Sequence, residues 1–402
     1  MDLLVISPTP TSPRNSGNRK RIHSLLTALK GHGINIHFRL IDMFGKTSII
    51  DPKAAEEMNR DWHSFESFSA DRRTQTAMCK IRCKILRSSI YARLALAGIR
   101  IPLEHDVDDW CTDNLLAYTK RQFAIRHFDA ILVNYVFLSG VLQVTPPSTL
   151  KVIDTHDIFA NRHQRLNKSG VRPSFFTTTA REENRGLTRA NLVIAIQEIE
   201  GRELANRLLN ATEVMTVSHL EPKAYLDYKS ARVAIVGLLG SENGINITST
   251  QRFCDELTRH PELSSVRFLI GGSVSRKLKR LPPNVECLGH IESLPDFYGK
   301  IDLFINPMIT GTGLKIKTVE AMSFGCPVLS TDCGTEGIET GHFYHQFDNL
   351  KTLVQHLEDI IAHRVGIEDY AAASRNCYDH YANAVNQQTE ILANILLTRS
   401  KQ

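Results

Sequence analysis

Short, nearly unbroken apolar runs alternate along this chain with segments whose apolar residues recur every three or four positions. Leu3 to Ser7 reads as a buried strand. Pro8, Pro10, Pro13 and Gly17 mark the following loop, and Asn18 to Lys30 reads as a helix with Ile22, Leu25, Leu26 and Leu29 on one face. Gly31 and Gly33 end that helix, and Ile34 to Leu40 is a second predicted strand. Residues 44–128 are less regular. From Phe128 the pattern returns, with predicted strands at Ala130–Asn134, Leu150–Asp154, Leu192–Ile196 and Glu213–Val217. Their continuous apolar character suits parallel strands covered on both faces. Lys223 to Arg232 reads as a polar linker. A second series follows, at Val233–Gly237, Val266–Ile270, Val285–Leu288, Asp302–Asn306 and a strand starting at Pro327. The tail from Ile367 is helical in pattern. The expected fold class is α/β, with a Rossmann-like domain over 1–225, a second over 226–370, and a C-terminal helix over 371–402 packing back toward the first. Two such domains imply a ligand cleft between them.

Within the second series one stretch concentrates candidate chemistry: Gly311 to Ile338, GTGLKIKTVEAMSFGCPVLSTDCGTEGI. Gly311 and Gly313 open a loop that lets backbone approach a ligand. The predicted helix begins near Leu314 or Lys315 and stops at Gly325. Its N-terminus is a ready-made anion site, to which Lys315 and Lys317 add positive charge. Glu320, a turn further in, suits hydrogen bonds from hydroxyls. Phosphate and polyol recognition together suggest a nucleotide sugar. In the first series, Ser16-Gly17-Asn18-Arg19 offers backbone N–H groups and a guanidinium to a phosphate. His156 stands at the C-terminal end of a predicted parallel strand, where open α/β sheets bind ligands. There it suits a hydrogen bond to a substrate hydroxyl or general acid/base work. Glu182 and Glu183 are weaker candidates on a charged helix. Asp106-Val107-Asp108 has a D-x-D spacing that can hold a cation on a pyrophosphate. No strand clearly precedes it, and no metal site is expected.

Composition narrows the classes. The chain has 402 residues, 42% apolar and 23% charged, with a net charge of +5. That is ordinary for a soluble globular protein of two or three domains. No apolar stretch reaches membrane-spanning length, and the N-terminus lacks a secretory pattern. The eight cysteines show no metal-type pairing, Cys79 and Cys83 being four apart, so a reducing cytoplasm is expected. Residues 72–103 carry basic residues and no acidic one, interleaved with Met78, Ile81, Ile85, Tyr91 and Leu96. That pattern suits a helix lying on an anionic membrane surface, or a core-packed helix with a solvated basic face. Nucleic acid is not expected, since no recognition motif accompanies the charge. The first loop lacks G-x-G-x-x-G, which disfavours a dinucleotide cofactor.

The stretch GTGLKIKTVEAMSFGCPV resembles the signature of retaining GT-B glycosyltransferases of family 4 (group 1). The N-terminal SPTPTSPRNSGNRKRIHSLLTAL, DTHD, REENRGLTRANLVIAI and GHIESLPDFY are similar in kind and order to that family's other motifs. The resemblance covers the whole chain. It implies a GT-B fold, two Rossmann-like domains facing across a cleft, and transfer from a UDP- or GDP-sugar to a glycan or glycolipid with retention. It implies roles position by position. Glu320 matches the ribose-binding second Glu of the family's E-x7-E element, while Thr312 stands where the first Glu is usual. Gly311, Gly313 and Leu314 line the donor, with Lys315 and Lys317 taking over part of the site. His290 and Ile291 match the segment beside the base, and Gly272 follows the second strand of the second domain. Gly17 and Arg19 match the N-domain loop near the phosphates, and His156 a histidine near the transferred sugar. No cofactor or metal is implied, because protein cations stabilise the departing diphosphate. The setting this implies is cytoplasmic, peripheral at the inner membrane face, in glycan or glycolipid assembly. The rival readings are a nucleotide-sugar epimerase or hydrolase on the same fold, and a non-catalytic nucleotide-binding subunit.

Overall fold

The structure is a computed structural model, and it describes residues 1–43, 51–70, 104–171, 175–209, 211–228, 233–362 and 367–399. The chain divides into two compact units: Met1–Gln164 with Pro173–His219 and Gln387–Gln402, and Arg165–Arg172 with Leu220–Asn386. The basic stretch 72–103 and the pair Cys79 and Cys83 lie outside the described residues.

The N-terminal unit contains β1 (Asp2–Ser7), α1 (Gly17–Gly31), β2 (Asn35–Asp42), α2 (Pro52–Asp61), β3 (Ser64–Ser69), α3 (Asp113–Ile125), β4 (Ala130–Asn134) and β5 (Leu150–Asp154). After a short α4 (Arg162–Lys168), whose residues from Arg165 belong to the other unit, come α5 (Ala180–Leu187), β6 (Leu192–Ala195), α6 (Glu198–Leu208) and β7 (Glu213–Thr216). The seven strands form one sheet in the order β3-β2-β1-β4-β5-β6-β7, parallel throughout. The apolar runs are buried on both faces: Leu3, Leu4, Val5 and Ile6 are all fully covered. The helical period is equally legible, since Ile22, Leu25, Leu26 and Leu29 of α1 pack into the core with Leu3, Val5, Leu132 and Ile194. Each such side chain contributes about 1.5–3 kcal/mol of burial.

The C-terminal unit contains β8 (Ile235–Leu239), α7 (Gly244–Leu257), β9 (Arg267–Gly271), β10 (Val285–Gly289), α8 (Leu294–Lys300), β11 (Leu303–Asn306), α9 (Ile316–Ser323), β12 (Val328–Ser330) and α10 (Leu350–Ile361). Its five parallel strands run in the order β10-β9-β8-β11-β12. Side-chain caps start three of its helices, Asn243 accepting from the Asn246 N–H at 2.8 Å, Ser293 from Asp296 at 3.3 Å and Asn349 from Thr352 at 3.0 Å. The last helix, α11 (Glu368–Arg399), contributes its residues through Asn386 to this unit and those from Gln387 to the N-terminal unit. There Leu392, Ala393 and Leu396 are buried among Leu3, Leu29 and Val152, and the Gln388 side chain accepts from the Ser218 N–H at 2.9 Å.

In both sheets successive strands add to one side and then to the other. The reversal falls between β1 and β4 in the first sheet and between β8 and β11 in the second. Ligands of open α/β sheets bind outside the carboxyl ends of strands at such points. The regions predicted as irregular within 44–128 include α2, β3 and α3. β3 is a half-exposed edge strand with alternating polar residues, so it lacks the apolar run that marks the other strands.

Candidate functional site

The C-terminal unit presents the Gly311–Ile338 stretch at its switch point. β11 delivers the chain to this loop, and Asn306 anchors the corner, its Nδ2 donating to Thr318 Oγ1 at 2.7 Å and to the Gly334 carbonyl at 3.0 Å. Gly311 and Gly313 have φ of 148° and 70°, conformations that side chains disfavour. α9 begins at Ile316, with Lys315 as its N-cap residue and no side-chain cap. The Ile316 N–H donates to the Leu314 carbonyl at 3.0 Å and the Thr318 N–H to the Lys315 carbonyl at 2.8 Å, so the helix start offers an anion mainly its dipole and the Lys317 N–H. The Lys315 side chain is only 8% exposed, Nζ donating to the Gly313 carbonyl at 2.9 Å and lying 3.3 Å from Glu336 Oε2. Lys317 holds both oxygens of the buried Glu320, at 2.8 and 3.0 Å. Tyr298 donates to the same carboxylate at 3.1 Å and stacks on Phe324. Burial, with Glu320 beside it, pushes the Tyr298 hydroxyl well above its ordinary pKa, so it stays a donor. Leu314 is buried beneath the loop. The Thr312 hydroxyl is buried with no hydrogen-bond partner among the described residues.

Gly272, His290 and Ile291 lie at the carboxyl ends of β9 and β10 in the same unit. Gly272 has φ of 87°, and a Cβ there would collide with the Gly240 carbonyl. The two strand-exit loops thus pass backbone against backbone, which only glycine allows. Ile291 packs beside Gly271, and His290 is exposed. Lys277, in the turn after β9, pairs with Glu242 at 3.3 Å.

The N-terminal unit gathers a second set of groups at its own switch point. Gly17 opens α1, and the next residue, Asn18, approaches the Tyr135 hydroxyl at 3.3 Å. Tyr135 follows β4 with φ of 72°, and its ring stacks on His156 at 4.2 Å between centroids. His156 follows β5, also with positive φ, 61°. Its Nε2 is 2.7 Å from Asn134 Oδ1 and 3.6 Å from Asp154 Oδ2. Asp154 in turn pairs with the buried Arg21 at 3.4 Å, and Arg21 Nη1 donates to the Ser218 carbonyl at 2.7 Å. Burial lowers the His156 pKa against the pull of Asp154. The imidazole is therefore neutral near pH 7 and able to accept a proton. Arg19 turns its guanidinium onto the Pro13 carbonyl at 3.2 Å.

Other sequence candidates are structural. Asp108 is held by Arg185 at 2.9 Å and Arg189 at 2.5 Å. Burial works against its ionisation, but the bonds from Arg189 and Arg185 prevail and lower its pKa. Among the described residues no group of three or more His, Cys, Asp or Glu could hold a metal ion. Glu182 accepts from the Val107 N–H and from Arg185. Glu183 is buried, accepts from the Phe159 N–H at 2.6 Å, and pairs with Arg207 at 2.7 Å.

Gly311, Thr312, Gly313, Leu314, Lys315, Lys317 and Glu320 thus share one corner of the C-terminal unit. Gly17 and His156 meet through Asn18 and Tyr135 in the N-terminal unit. The sequence reading passed over Arg21, Asn134, Asp154, Tyr135, Tyr298 and Glu336. Asn134 and Asp154 had a usable signal, since each is the last residue of a predicted strand. Tyr135 had none, because a positive φ at a non-glycine residue leaves no mark on composition.

Residues 230–363 match the family model described as glycosyl transferases group 1. A curated relative, an uncharacterized 44.6 kDa protein in the cps region of Klebsiella pneumoniae, is 43% identical over 51 residues. That match spans 13% of this chain and only 13% of the relative's length. Among solved structures, Anabaena Alr3699/HepE in complex with UDP and glucose is similar at 16% identity and a TM-score of 0.58, over 99% of this chain and 100% of that one. A TarM mutant from S. aureus, in complex with Fondaparinux, alpha-GlcNAc-glycerol and UDP, is similar at 11% identity and a TM-score of 0.66, over 98% and 100%. The sucrose-phosphate synthase of Thermosynechococcus elongatus is similar at 14% identity and a TM-score of 0.66, over 99% of each chain. Residues 230–363 are thus similar to group 1 glycosyl transferases, within a chain that has the GT-B fold.

Proposed function

We propose that the chain moves a sugar from a UDP- or GDP-sugar to a glycan or glycolipid acceptor, with retention at the anomeric carbon. The observation that carries this reading is the β11–α9 corner, in which an uncapped helix N-terminus, Lys315, Lys317 and Glu320 converge inside the matched domain. Negative charge grows on the departing diphosphate as the glycosidic bond to it breaks, and the helix N-terminus with Lys315 stabilises that charge. Glu320 accepts from the ribose hydroxyls. Gly311, Thr312, Gly313, Leu314 and Lys317 shape the donor floor, and Gly272, His290 and Ile291 face the nucleotide. In the N-terminal unit, taken by itself, Gly17 and Arg19 suit a phosphate and neutral His156 suits a sugar hydroxyl. The reading routes no step through a metal. The Anabaena neighbour holds UDP and glucose, and another neighbour is a lipopolysaccharide outer core galactosyltransferase. These support a UDP-sugar and an acceptor from polysaccharide or lipopolysaccharide assembly. Among the described residues no helix is long and apolar enough to cross a membrane. The basic, acid-free stretch 72–103 is the segment the reading assigns to contact with the inner membrane face.

The test is transfer from labelled UDP- and GDP-sugars to a panel of glycan and lipid-linked acceptors, with the anomeric configuration of the product read by NMR. Acceptor-dependent transfer that disappears in Glu320→Ala, in a variant that still melts cooperatively, is the expected result. Nucleotide release without any acceptor requirement would instead indicate a hydrolase or epimerase. Donor that binds but stays intact with every acceptor would indicate a binding subunit.

A further inference from the structure

Beyond His156 the N-terminal unit carries an aromatic cluster that the donor chemistry does not use. His156 stacks on Tyr135, Tyr135 meets Phe159 at 6.2 Å, and Phe159 meets Phe175 at 6.1 Å. Phe175 closes this series at the surface, 40% exposed. Trp110 supports it edge-on, at 5.2 Å and 85°. The base of the cluster is rigid. Phe159 is pinned through its N–H by buried Glu183 at 2.6 Å, and its carbonyl accepts from the Thr178 N–H at 3.1 Å. Asn161, in the left-handed conformation at φ 54°, turns the chain into α4. That turn sets the Arg162 guanidinium over Phe159 at 5.6 Å and Phe175 at 6.0 Å.

Arg21, Arg39, Arg189 and Arg207 of the same unit each pair with a carboxylate. Arg162 has none within ion-pair distance among the described residues, and its Nε is buried without a hydrogen-bond partner. A guanidinium beside an exposed aromatic ring offers charge and an apolar face to one ligand. A pyranose ring lays its apolar C–H face on an aromatic surface, and its carboxylate or phosphate takes two parallel N–H bonds from a guanidinium. We propose that Phe175 and Arg162 form a subsite for an acidic sugar residue, a pyranose bearing a carboxylate or phosphate, within the acceptor glycan. The inference rests on the glycosyl-transfer reading for the word acceptor only. The subsite itself is a property of the N-terminal unit.

The experiment is saturation-transfer NMR titration of the full chain without donor, using methyl β-D-glucuronide, glucose 6-phosphate and methyl β-D-glucoside as probes. At least one anionic probe binds about tenfold more tightly than the neutral glucoside, the scale of one charge-assisted pair. Arg162→Gln removes that preference, and Phe175→Ala weakens all three probes. Preference for the phosphate over the glucuronide assigns the anionic group as phosphate and leaves the subsite standing. Arg162→Lys is the second variant should Arg162→Gln not fold, and it keeps the anion preference with weaker binding overall. Equal binding of all three probes, or a preference that survives in Arg162→Gln, overturns the proposal. Because no donor is present, selective binding without transfer counts against the catalytic reading alone, and transfer without selective binding counts against the subsite alone.

Discussion

Replacing Arg21 by Met tests whether the polar corner around His156 is held by its buried ion pair. Arg21 is 1% exposed and Asp154 not at all, and their closest atoms are 3.4 Å apart. The guanidinium also serves the Ser218 carbonyl at 2.7 Å. Arg21→Met leaves Asp154 charged in the interior, and breaking a buried pair from one side costs about 3–5 kcal/mol. That is a large share of a domain's stability. The substitution has a second consequence. Burial lowers the His156 pKa, Asp154 raises it and Arg21 lowers it, so removing Arg21 takes away one of the two lowering influences. Both tryptophans of the chain, Trp62 and Trp110, lie in the N-terminal unit, so urea unfolding followed by their fluorescence reports that unit selectively. The expected result is a loss of about 3–5 kcal/mol in Arg21→Met, largely restored in Arg21→Met/Asp154→Leu, because the double variant removes both charges. NMR titration of the His156 ring should show an upward shift in the single variant. A loss under about 1 kcal/mol, or a double variant no more stable than the single one, would refute the account.

Further expectations concern the C-terminal unit. Glu320→Gln frees Lys317 of its partner and weakens the acceptor set for ribose, so the thermal stabilisation that UDP or GDP confers should fall; unchanged stabilisation with both nucleotides would remove Glu320 from the site. Glu336→Gln leaves Lys315 without a counter-charge. Nucleoside diphosphate binding by calorimetry should tighten by about twofold to fivefold, the scale of a partly exposed pair, and weaker binding would contradict the assigned role of Lys315. Gly272→Ala forces a side chain into φ 87° against the Gly240 carbonyl, and should cost more than about 2 kcal/mol in the melting of this unit. His345 is fully buried with neither ring nitrogen hydrogen-bonded among the described residues, and burial lowers its pKa from 6.5 to about 3. Between those values the unfolded chain binds the proton and the folded chain does not. Stability should therefore fall as pH drops below 6.5, by up to about 1.4 kcal/mol per unit. Calorimetric melting should show that slope reduced in His345→Phe, and an unchanged slope would exclude His345 as its source.

The site was legible where its chemistry is local. Gly311, Gly313, Lys315 and Glu320 sit within ten positions of one another, so spacing alone places them on one loop and one helix. The pairing of Lys317 with Glu320 follows from the same spacing, because residues three apart on a helix are neighbours. Glu336 stands twenty-one residues beyond Lys315, and only the return of β12 beside β11 brings the two within ion-pair distance. In the N-terminal unit His156 was legible as a strand end. Its partners Asn134, Tyr135 and Arg21 come from β4, the turn after it, and α1, so no local pattern joins them.

By itself the sequence determined every strand but β3, the parallel character of the apolar strands and the glycine-opened helix start. Each of these depends on burial or backbone freedom over a few consecutive residues, which composition and period record directly. Strand order was decided only by the tertiary structure, because apolar strands buried on both faces look alike in sequence. That order sets the two switch points, β1 against β4 and β8 against β11. The first decides why Asn18 reaches Tyr135, and the pairing of β8 with β9 decides why Gly272 must lack a side chain against the Gly240 carbonyl.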